Sequence, residues 1–461
     1  MSKVIDKVPF KLYPVNKNNA NVYSFWSSSP LINFELQGTE QKIINNGSLR
    51  LNGYMKIFQK SNKMYPANRF DMNGTADSPP SNEKVCYIDE KVSVASVIQS
   101  LTISNVSNSQ IFEQIKEYPR MLSSLYAVSS SYYDLCSVAQ NLGGSQANND
   151  SISRTCSRQI PFSLSFKSGF LSGGNVSLAN GGLKISINLN SDSAVLFGLN
   201  AGDFVYSLED VYLSGEYLVL DKPIGPRKGV IDTYYQFQNY LNTAISSNDH
   251  QNLSLGLNNV ISIYSNFIRS SWTSNSRYNS LSTPPLKNEL NVDKDINQFS
   301  FNRGAVKYPL SYNVDEGKSN RNNVYDVLRS RLFLDAVQSY GLLTHSCISP
   351  FTQGVNDMVS KRENWLRTPQ SCDGGNLMQW TSHNGAIWTR DGEVESSGKI
   401  YGIGVRLDMS NQGIAQDYSN ANYNYNIQSE LEGDCPNSVY TFVLSKTTVV
   451  SDGRGNVQYL N

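Results

Sequence analysis

The sequence predicts an all-β chain of two tandem β-sandwiches, and three observations indicate that fold class. Apolar and polar residues alternate with a period of two in most patterned segments. Turn-forming Ser, Gly and Asn separate these segments, as in residues 172–175 and 179–182. The order of elements also repeats once along the 461 residues, since in each half a helical segment is followed by the longest strands. A chain of this length is expected to hold at least two domains, so the repeat favours two sandwiches of similar plan.

Strand patterns of the first half lie in four segments. In residues 48–58 (SLRLNGYMKIF), Leu49, Leu51 and Ile57 point to one side, and Gly53 marks an expected bend or bulge. The other three strands are predicted at residues 162–166, 183–189 (LKISINL) and 204–220 (FVYSLEDVYLSGEYLVL).

A domain boundary is predicted at residues 221–229 (DKPIGPRKG), because two prolines and two glycines interrupt any strand or helix. The expected division is an N-terminal arm at 1–25, a first sandwich at 26–222 and a second at 223–461. After the boundary, a Gly-rich turn and a short last strand close the chain beyond residue 451. Five more strands are predicted there, at residues 255–268, 296–310, 399–407, 423–429 and 439–450.

One short inserted helix is predicted in each half, from apolar residues three or four positions apart. The two apolar sets are Leu125, Val128, Tyr132, Leu135, Ala139 and Val324, Leu328, Leu332, Ala336, Tyr340. Two stretches fit neither pattern. Residues 60–84 are polar and contain proline, whereas residues 345–398 hold three of the five tryptophans and are expected to form a long, ordered, self-packed excursion.

Composition excludes several classes of protein. The 39 basic and 39 acidic side chains cancel, which argues against a protein that coats nucleic acid. No apolar stretch is long enough for a membrane helix, and the N-terminal residues lack the apolar core of a signal peptide. The six cysteines are widely scattered without a CxxC pair, so free thiols are expected. A charged fraction of only 17% suits a protein that packs against copies of itself.

The search for catalytic and metal motifs predicts no enzyme, no cofactor and no metal site. The three histidines are His250, His345 and His383, and no GxSxG motif accompanies them. His345 and Cys347 could form a thiolate–imidazole pair, but an incidental neighbourhood is the favoured interpretation. Residues 293–304 resemble a calcium loop only at their start, and residues 392–399 have the wrong spacing for a phosphate-binding loop. A carboxylate pair for glycoside cleavage stays open, because it depends on distance in space.

Several strand segments resemble those of double jelly-roll major capsid proteins, nearest to those of polinton-like viruses, virophages and adintoviruses. The segments similar to the closing strands of their first sandwich are 160–171 (IPFSLSFKSGFL), 182–189 (GLKISINL) and 207–218 (SLEDVYLSGEYL). Residues 48–53 resemble an early strand, residues 111–125 look like the first inter-strand helix, and residues 440–445 and 455–460 resemble the last two strands.

This resemblance implies two eight-stranded jelly rolls in one chain and three chains in one pseudo-hexameric capsomer of an icosahedral virion shell. It implies contacts with sister capsomers and with penton and minor capsid proteins. It does not imply that a specific nucleic acid is bound. The arm at residues 1–25 is expected to lie under the shell or to reach a neighbouring subunit.

Two alternatives remain at the level of sequence. One is a jelly-roll protein that binds or cleaves glycans, such as a viral fibre or penton component. The other is a single-jelly-roll penton protein with an added domain, which predicts a pentamer.

Overall fold

The fold is described from a computed structural model that covers most of the first half of the chain and the strands of the second half. The described residues are 3–61, 63, 87–88, 92–122, 159–172, 175–197, 201–225, 228–242, 249–255, 260–268, 281, 296–303, 306–313, 387–388, 394–395, 402–406, 421–429, 438–454 and 456–460.

Strands up to residue 220 form two main sheets, which together make the first roll. Their bounds are β1 (Val4–Leu12), β2 (Val22–Tyr23), β3 (Leu31–Leu36), β4 (Lys42–Ile44), β5 (Arg50–Gln59), β6 (Tyr87–Ile88), β7 (Ile98–Asn105), β8 (Ile111–Lys116), β9 (Gln159–Ser165), β10 (Val176–Ser177), β11 (Leu183–Leu189), β12 (Leu196–Phe197) and β13 (Phe204–Leu220). The first sheet has the order β1–β13–β5–β9, with β2, β4 and β10 extending it, and the second sheet has the order β3–β11–β7–β8. Two short helices, α1 (Gly169–Ser172) and α2 (Asp192–Val195), lie in the connections.

Strands from residue 228 onward form the second roll in the same way. Their bounds are β14 (Lys228–Asn242), β15 (Asp249–Leu255), β16 (Val260–Ile268), β17 (Ile296–Arg303), β18 (Val306–Asn313), β19 (Ile387–Trp388), β20 (Val394–Glu395), β21 (Gly402–Arg406), β22 (Ala421–Ser429), β23 (Ser438–Asp452) and β24 (Val457–Leu460). The third sheet has the order β14–β23–β16–β21 with β24 beside β23, and the fourth has the order β15–β22–β17–β18.

The two rolls share one topology. When the eight principal strands of each roll are counted along the chain, both rolls show the order 1-8-3-6 in one sheet and 2-7-4-5 in the other. All pairings between the described strands are antiparallel, and the last strand lies next to the first, as a jelly roll requires. The predicted all-β class with two tandem jelly rolls is therefore confirmed.

The strand predictions of the first half hold closely. The long strand predicted at residues 204–220 is β13 with those same bounds, and residues 48–58 correspond to β5. The predicted irregularity at Gly53 lies in the pairing of β5 with β13, whose register shifts between Glu209 and Tyr212. Asp210 adopts a positive φ of 50° in that bulge. A side chain at position 53 would lie 2.8 Å from the carbonyl oxygen of Glu209, so the close approach of β13 requires glycine.

The expectation of an N-terminal arm lying apart from the first roll is wrong for residues 4–12. These residues form β1, which pairs with β13 from Val4–Leu220 to Leu12–Leu213. Pro9 is tolerated because β1 pairs with β13 alone among the described strands, so the missing N–H can fall on the open edge.

The helix expected at residues 111–125 is wrong at its start, because residues 111–116 form β8, paired with β7. Helical geometry begins only at residue 118 and is described up to residue 122. The segment predicted as one strand at 296–310 is the antiparallel pair β17 and β18. Likewise, β15 ends at Leu255 and β16 begins at Val260, within the segment predicted as a single strand.

Several predictions lie outside the described residues. These are the two inserted helices at 125–139 and 324–340, nearly all of the polar stretch at 60–84, and the six cysteines. Of the Trp-rich excursion at 345–398, the structure describes the short pair β19 and β20.

Candidate functional site

The candidate site consists of two equivalent sheet surfaces, one in each roll. The surface of the second roll is one face of the third sheet and is described before its equivalent in the first roll. All residues of β23 from Ser438 to Ser445 are buried, whereas Lys446 is exposed. Because side chains alternate between the two faces of a strand, burial of eight successive residues means that this part of the sheet is covered on both faces.

The first roll provides one of these two covers. Strand β8 and helix α1 lie against β14, the neighbour of β23. The guanidinium carbon of Arg120, just after β8, lies 4.0 Å from the ring centre of Tyr440. Phe442 and Leu444 share the side of Tyr440 on β23, and Tyr264 pairs opposite Phe442. We refer to Tyr264, Tyr440, Phe442 and Leu444 as the covered face. They belong to one continuous core cluster with residues of the first roll.

A second contact lies at the other end of β8. The side-chain amide of Asn108, in the turn before β8, donates a hydrogen bond of 2.8 Å to the carbonyl oxygen of Val457. Val457 pairs with Ser451, whereas Tyr440 lies near the opposite end of β23. Contacts at both ends of β8 therefore fix its direction along the second roll.

A buried carboxylate attaches β8 to α1. Glu113 is 0% exposed, and its two oxygens accept hydrogen bonds of 3.0 and 3.1 Å from the backbone N–H groups of Gly169 and Phe170. The rings of Phe112 and Phe170 stack with centroids 4.8 Å apart. Two charge-assisted bonds offset the cost of burying this carboxylate, so Glu113 holds together the two elements that cover the second roll.

Burial also raises the pKa of the two tyrosines in the covered face. Desolvation raises the pKa of Tyr264 far above its ordinary value. Desolvation raises the pKa of Tyr440 as well, and the positive charge of Arg120 partly opposes that rise. Both phenols, which are neutral at physiological pH even when exposed, therefore stay neutral to a higher pH than usual, and Arg120 meets an uncharged aromatic ring.

The equivalent surface of the first roll is the outer face of the first sheet. At residues 204–208, where β13 begins, this face is also covered, because five successive residues are buried, but around Tyr54 and Tyr212 it is open. Tyr54 on β5 is 42% exposed and pairs opposite Glu209 of the bulged β13. Tyr13 and Trp26, at the edge of the same face, are each 43% exposed. We refer to Lys11, Tyr13, Tyr54, Lys56, Glu209 and Tyr212 as the open face.

Lysines and aromatic rings alternate on the open face. The Nζ atom of Lys11 lies 3.9 Å from the ring centre of Tyr212, and Lys17 lies 4.2 Å from that of Tyr13. A hydrogen bond with Tyr13 raises the pKa of Lys11, so this lysine is charged. Lys56 forms an ion pair of 2.5 Å with Glu209. Exposed aromatic rings are typical of protein–protein contact surfaces, whereas lysines are more common at the rim of such surfaces than at their centre.

Strand β1 is held in the first sheet by a close packing contact on the core side of that sheet. Phe10 lies opposite Gly215 in the register, and its ring stacks on Tyr217 with centroids 4.2 Å apart. A side chain at position 215 would come within 2.9 Å of the Phe10 ring. Glycine at position 215 therefore leaves room for the Phe10 ring, and the stacking of that ring on Tyr217 holds β1 against β13.

Among the described residues, the sequence candidate His250 does not belong to this site. His250 lies on β15, paired with Asn426 of β22, while His345, His383, Asp293 and Asp295 lie outside the described residues. Within the described ranges, no group of three or more His, Cys, Asp or Glu side chains could hold a metal ion. None of the described helices is both long and apolar enough to cross a membrane.

Sequence reasoning missed Arg120, Tyr440 and Glu113. No sequence signal joins Arg120 to Tyr440, because they are far apart in the chain. The β1 segment did carry a signal, since Val8, Phe10 and Leu12 alternate with polar or exposed residues.

No protein-family model matches this sequence, and no curated protein matches it either. The fold, however, is similar to solved structures. The VP54 protein of PBCV-1, fitted into a reconstruction of the virophage Sputnik, has a TM-score of 0.50 and 8% identity, with 99% of this chain and 97% of that chain covered. A quasi-atomic model of the PBCV-1 virus capsid gives a TM-score of 0.50 and 9% identity, again with 99% and 97% covered. The major capsid protein of mavirus matches with a TM-score of 0.44 and 11% identity, with 98% of this chain and 90% of that chain covered. At these identities the first two matches show the double jelly-roll fold and its extent over nearly the whole chain.

Proposed function

We propose that this protein is a major capsid protein that assembles with copies of itself into the shell of an icosahedral virion. The observation that carries the proposal is the duplicated roll, in which one sheet face is covered by the other roll and its equivalent is open around Tyr54. The exposed face on the first roll is rich in aromatic residues, and the equivalent face on the second roll is covered. This pattern is expected of a subunit that makes the same kind of contact with another copy of itself. The likeness in fold to a chain of the PBCV-1 virus capsid supports the same role.

The proposed working unit is a trimer. Two rolls in each of three chains place six similar sandwiches around one axis, which forms a pseudo-hexagonal block that can tile a shell. Penton and minor capsid proteins are the other partners in this proposal, and the virion shell is its location. The role is structural, without catalysis or a cofactor.

The domain division belongs to the same proposal. A first roll at residues 26–222 and a second at 223–461 agree with sheets that share no strand across residues 221–227. Residues 4–12 are added to the first roll, because β1 is the strand next to β13.

Two measurements test the function. Light scattering on the purified chain is expected to give about three times the 51.3 kDa mass of one chain, and electron microscopy of concentrated protein is expected to show hexagonal blocks or shells. A stable monomer, dimer or pentamer at micromolar concentration contradicts the proposal. The solved structures that share the fold come from virus capsids, so no observation favours the glycan alternative.

A further inference from the structure

We propose that the outer edge of β1 prevents the addition of another β-strand, so that free chains do not join edge to edge before they assemble. The outer edge is the side of β1 that faces away from β13. This protection acts on single chains, so it is separate from the capsid role proposed above.

Strand β1 has the features of an edge that attracts other strands. Among the described strands it pairs with β13 alone, so the backbone groups on its other side have no strand partner there. Its apolar residues Val4, Ile5 and Val8 are 49%, 64% and 37% exposed. An exposed apolar edge strand is a usual site of aggregation, because its N–H and C=O groups can pair with a strand of another chain.

Pro9 is the first obstacle to such pairing. A proline within a strand is tolerated where its missing N–H falls on the open edge and not in the ladder. Residue 9 therefore lies where an added strand would need a donor, and proline has no N–H to give.

The backbone N–H of Lys7 is the second obstacle. Groups two residues apart point to the same side of a strand, so the N–H of Lys7 faces the outer edge as Pro9 does. This N–H donates a hydrogen bond of 2.7 Å to the Oδ1 atom of Asp6. A carboxylate is a stronger acceptor than a backbone carbonyl oxygen, so an added strand would replace this bond with a weaker one. Two successive donors of the outer edge are thus withheld.

An irregular register and two lysines provide the third obstacle. The register of β1 shifts between Val4 and Asp6, which places Ile5 in a bulge. Bulges twist an edge away from a straight partner strand. Lys7 and Lys11 are exposed on the same strand, and their charges oppose the close approach of an identical strand.

The other strand prolines follow the same rule. Three prolines lie within described strands, which are Pro9 on β1, Pro161 on β9 and Pro309 on β18. Strand β9 is the last strand of the first sheet on the side away from β1, and β18 is an edge of the fourth sheet. Every proline within a described strand therefore lies on an edge strand. Strand β1 adds the bulge and the Asp6 hydrogen bond to its proline.

A double variant that restores the edge tests the inference. Asp6→Ala with Pro9→Val frees one N–H and adds another, and both substitutions change exposed residues. We expect association beyond the size of the unmodified particle to begin at a concentration about tenfold lower, because each contact gains two hydrogen bonds. Sedimentation velocity and thioflavin T fluorescence of dilute, freshly refolded protein measure this threshold. Pro9→Val alone keeps the Asp6 bond and is expected to give an intermediate threshold.

Hydrogen exchange locates the contact in the associated variant. The amide that Pro9→Val introduces is expected to become protected from exchange when copies associate. The matched control is Pro223→Val, which replaces an exposed proline outside the described strands. It should keep the threshold of the unmodified chain. Circular dichroism checks that each variant is folded.

Two results overturn the inference. One is a pair of folded variants, double and single, that associate no more readily than the unmodified chain. The other is association in which the amide of residue 9 stays unprotected. Failure of the capsid proposal is a different result, since it appears as an unmodified chain that remains monomeric whatever the variants do.

Discussion

The outer faces of the first and third sheets have the same strand order but differ in what lies on them. On the second roll, β8 and α1 of the first roll cover Tyr264, Tyr440, Phe442 and Leu444. On the first roll, the equivalent face shows exposed Tyr13, Tyr54 and Trp26 with lysines between them. The comparison teaches that duplication of a fold does not duplicate its environment. The first roll covers the second, whereas its own equivalent face stays exposed around Tyr54.

The largest expected effect comes from the attachment of the cover. Glu113→Gln leaves the N–H groups of Gly169 and Phe170 with one acceptor in place of a carboxylate and brings an amide donor towards them. We expect the free energy of unfolding to fall by about 3 kcal/mol, since buried donors would lose charged partners. Urea denaturation measures this change.

The control for Glu113 is Glu35→Gln. Glu35 forms a partly exposed ion pair of 3.3 Å with Lys184, and such surface pairs contribute about 0.5 kcal/mol. Equal losses for the two variants would contradict the role given to Glu113.

The next effect concerns β1, the edge strand of the first sheet. In Gly215→Ala the new Cβ meets the Phe10 ring at 2.9 Å and Leu49 at 3.0 Å, so β1 must shift. We expect a loss of about 2 kcal/mol, as is usual for overpacking, and faster hydrogen exchange of the backbone amides in β1. Gly202→Ala is the control, because a Cβ there has no neighbour within 4 Å. Unchanged exchange in β1 would show that Phe10 does not fasten the strand.

A smaller effect is expected at the contact between the rolls. Arg120→Met retains an aliphatic stem but removes the cation that lies 4.0 Å from the Tyr440 ring. The loss should be about 1 kcal/mol. The two rolls should also unfold less cooperatively, which a calorimetric trace resolves as a broader or divided transition. A transition as sharp as that of the unmodified chain would argue against coupling through Arg120.

The smallest expected effect is the loss of stability at alkaline pH, when the tyrosines of the covered face titrate. Burial raises the pKa of Tyr264 and Tyr440 above the ordinary value of 10.0. Their neutral forms therefore contribute stability that is fully present below pH 10.0 and decreases as the pH rises from there towards the folded-state pKa.

Urea denaturation at about pH 8 and about pH 11 is expected to show this decrease. The decrease should be smaller in Tyr264→Phe, which removes one titrating group. An equal decrease in that variant would mean that Tyr264 does not contribute to the alkaline loss.

Local alternation predicted much of the fold. It predicted β13 with its observed bounds from the alternation at Val211 and Leu213, although the strand carries a bulge between Glu209 and Tyr212. It missed β1, because Pro9 and the irregularity near Asp6 weaken the alternation there. This strand is stabilised by its pairing with β13. The helix predicted at residues 111–125 came from the resemblance to capsid proteins and not from alternation, and the structure has strand β8 there, with Glu113 buried.

The sequence by itself determined most of the long strands, the duplication and the lack of recognisable catalytic motifs, because these depend on residues that are near one another in the chain. The tertiary structure alone decided that Arg120 meets Tyr440, that Glu113 can be buried, and which of two equivalent sheet faces stays open. The physical reason is that covering a face depends on how two folded rolls pack together, and the contacts that fix this packing join residues hundreds of positions apart.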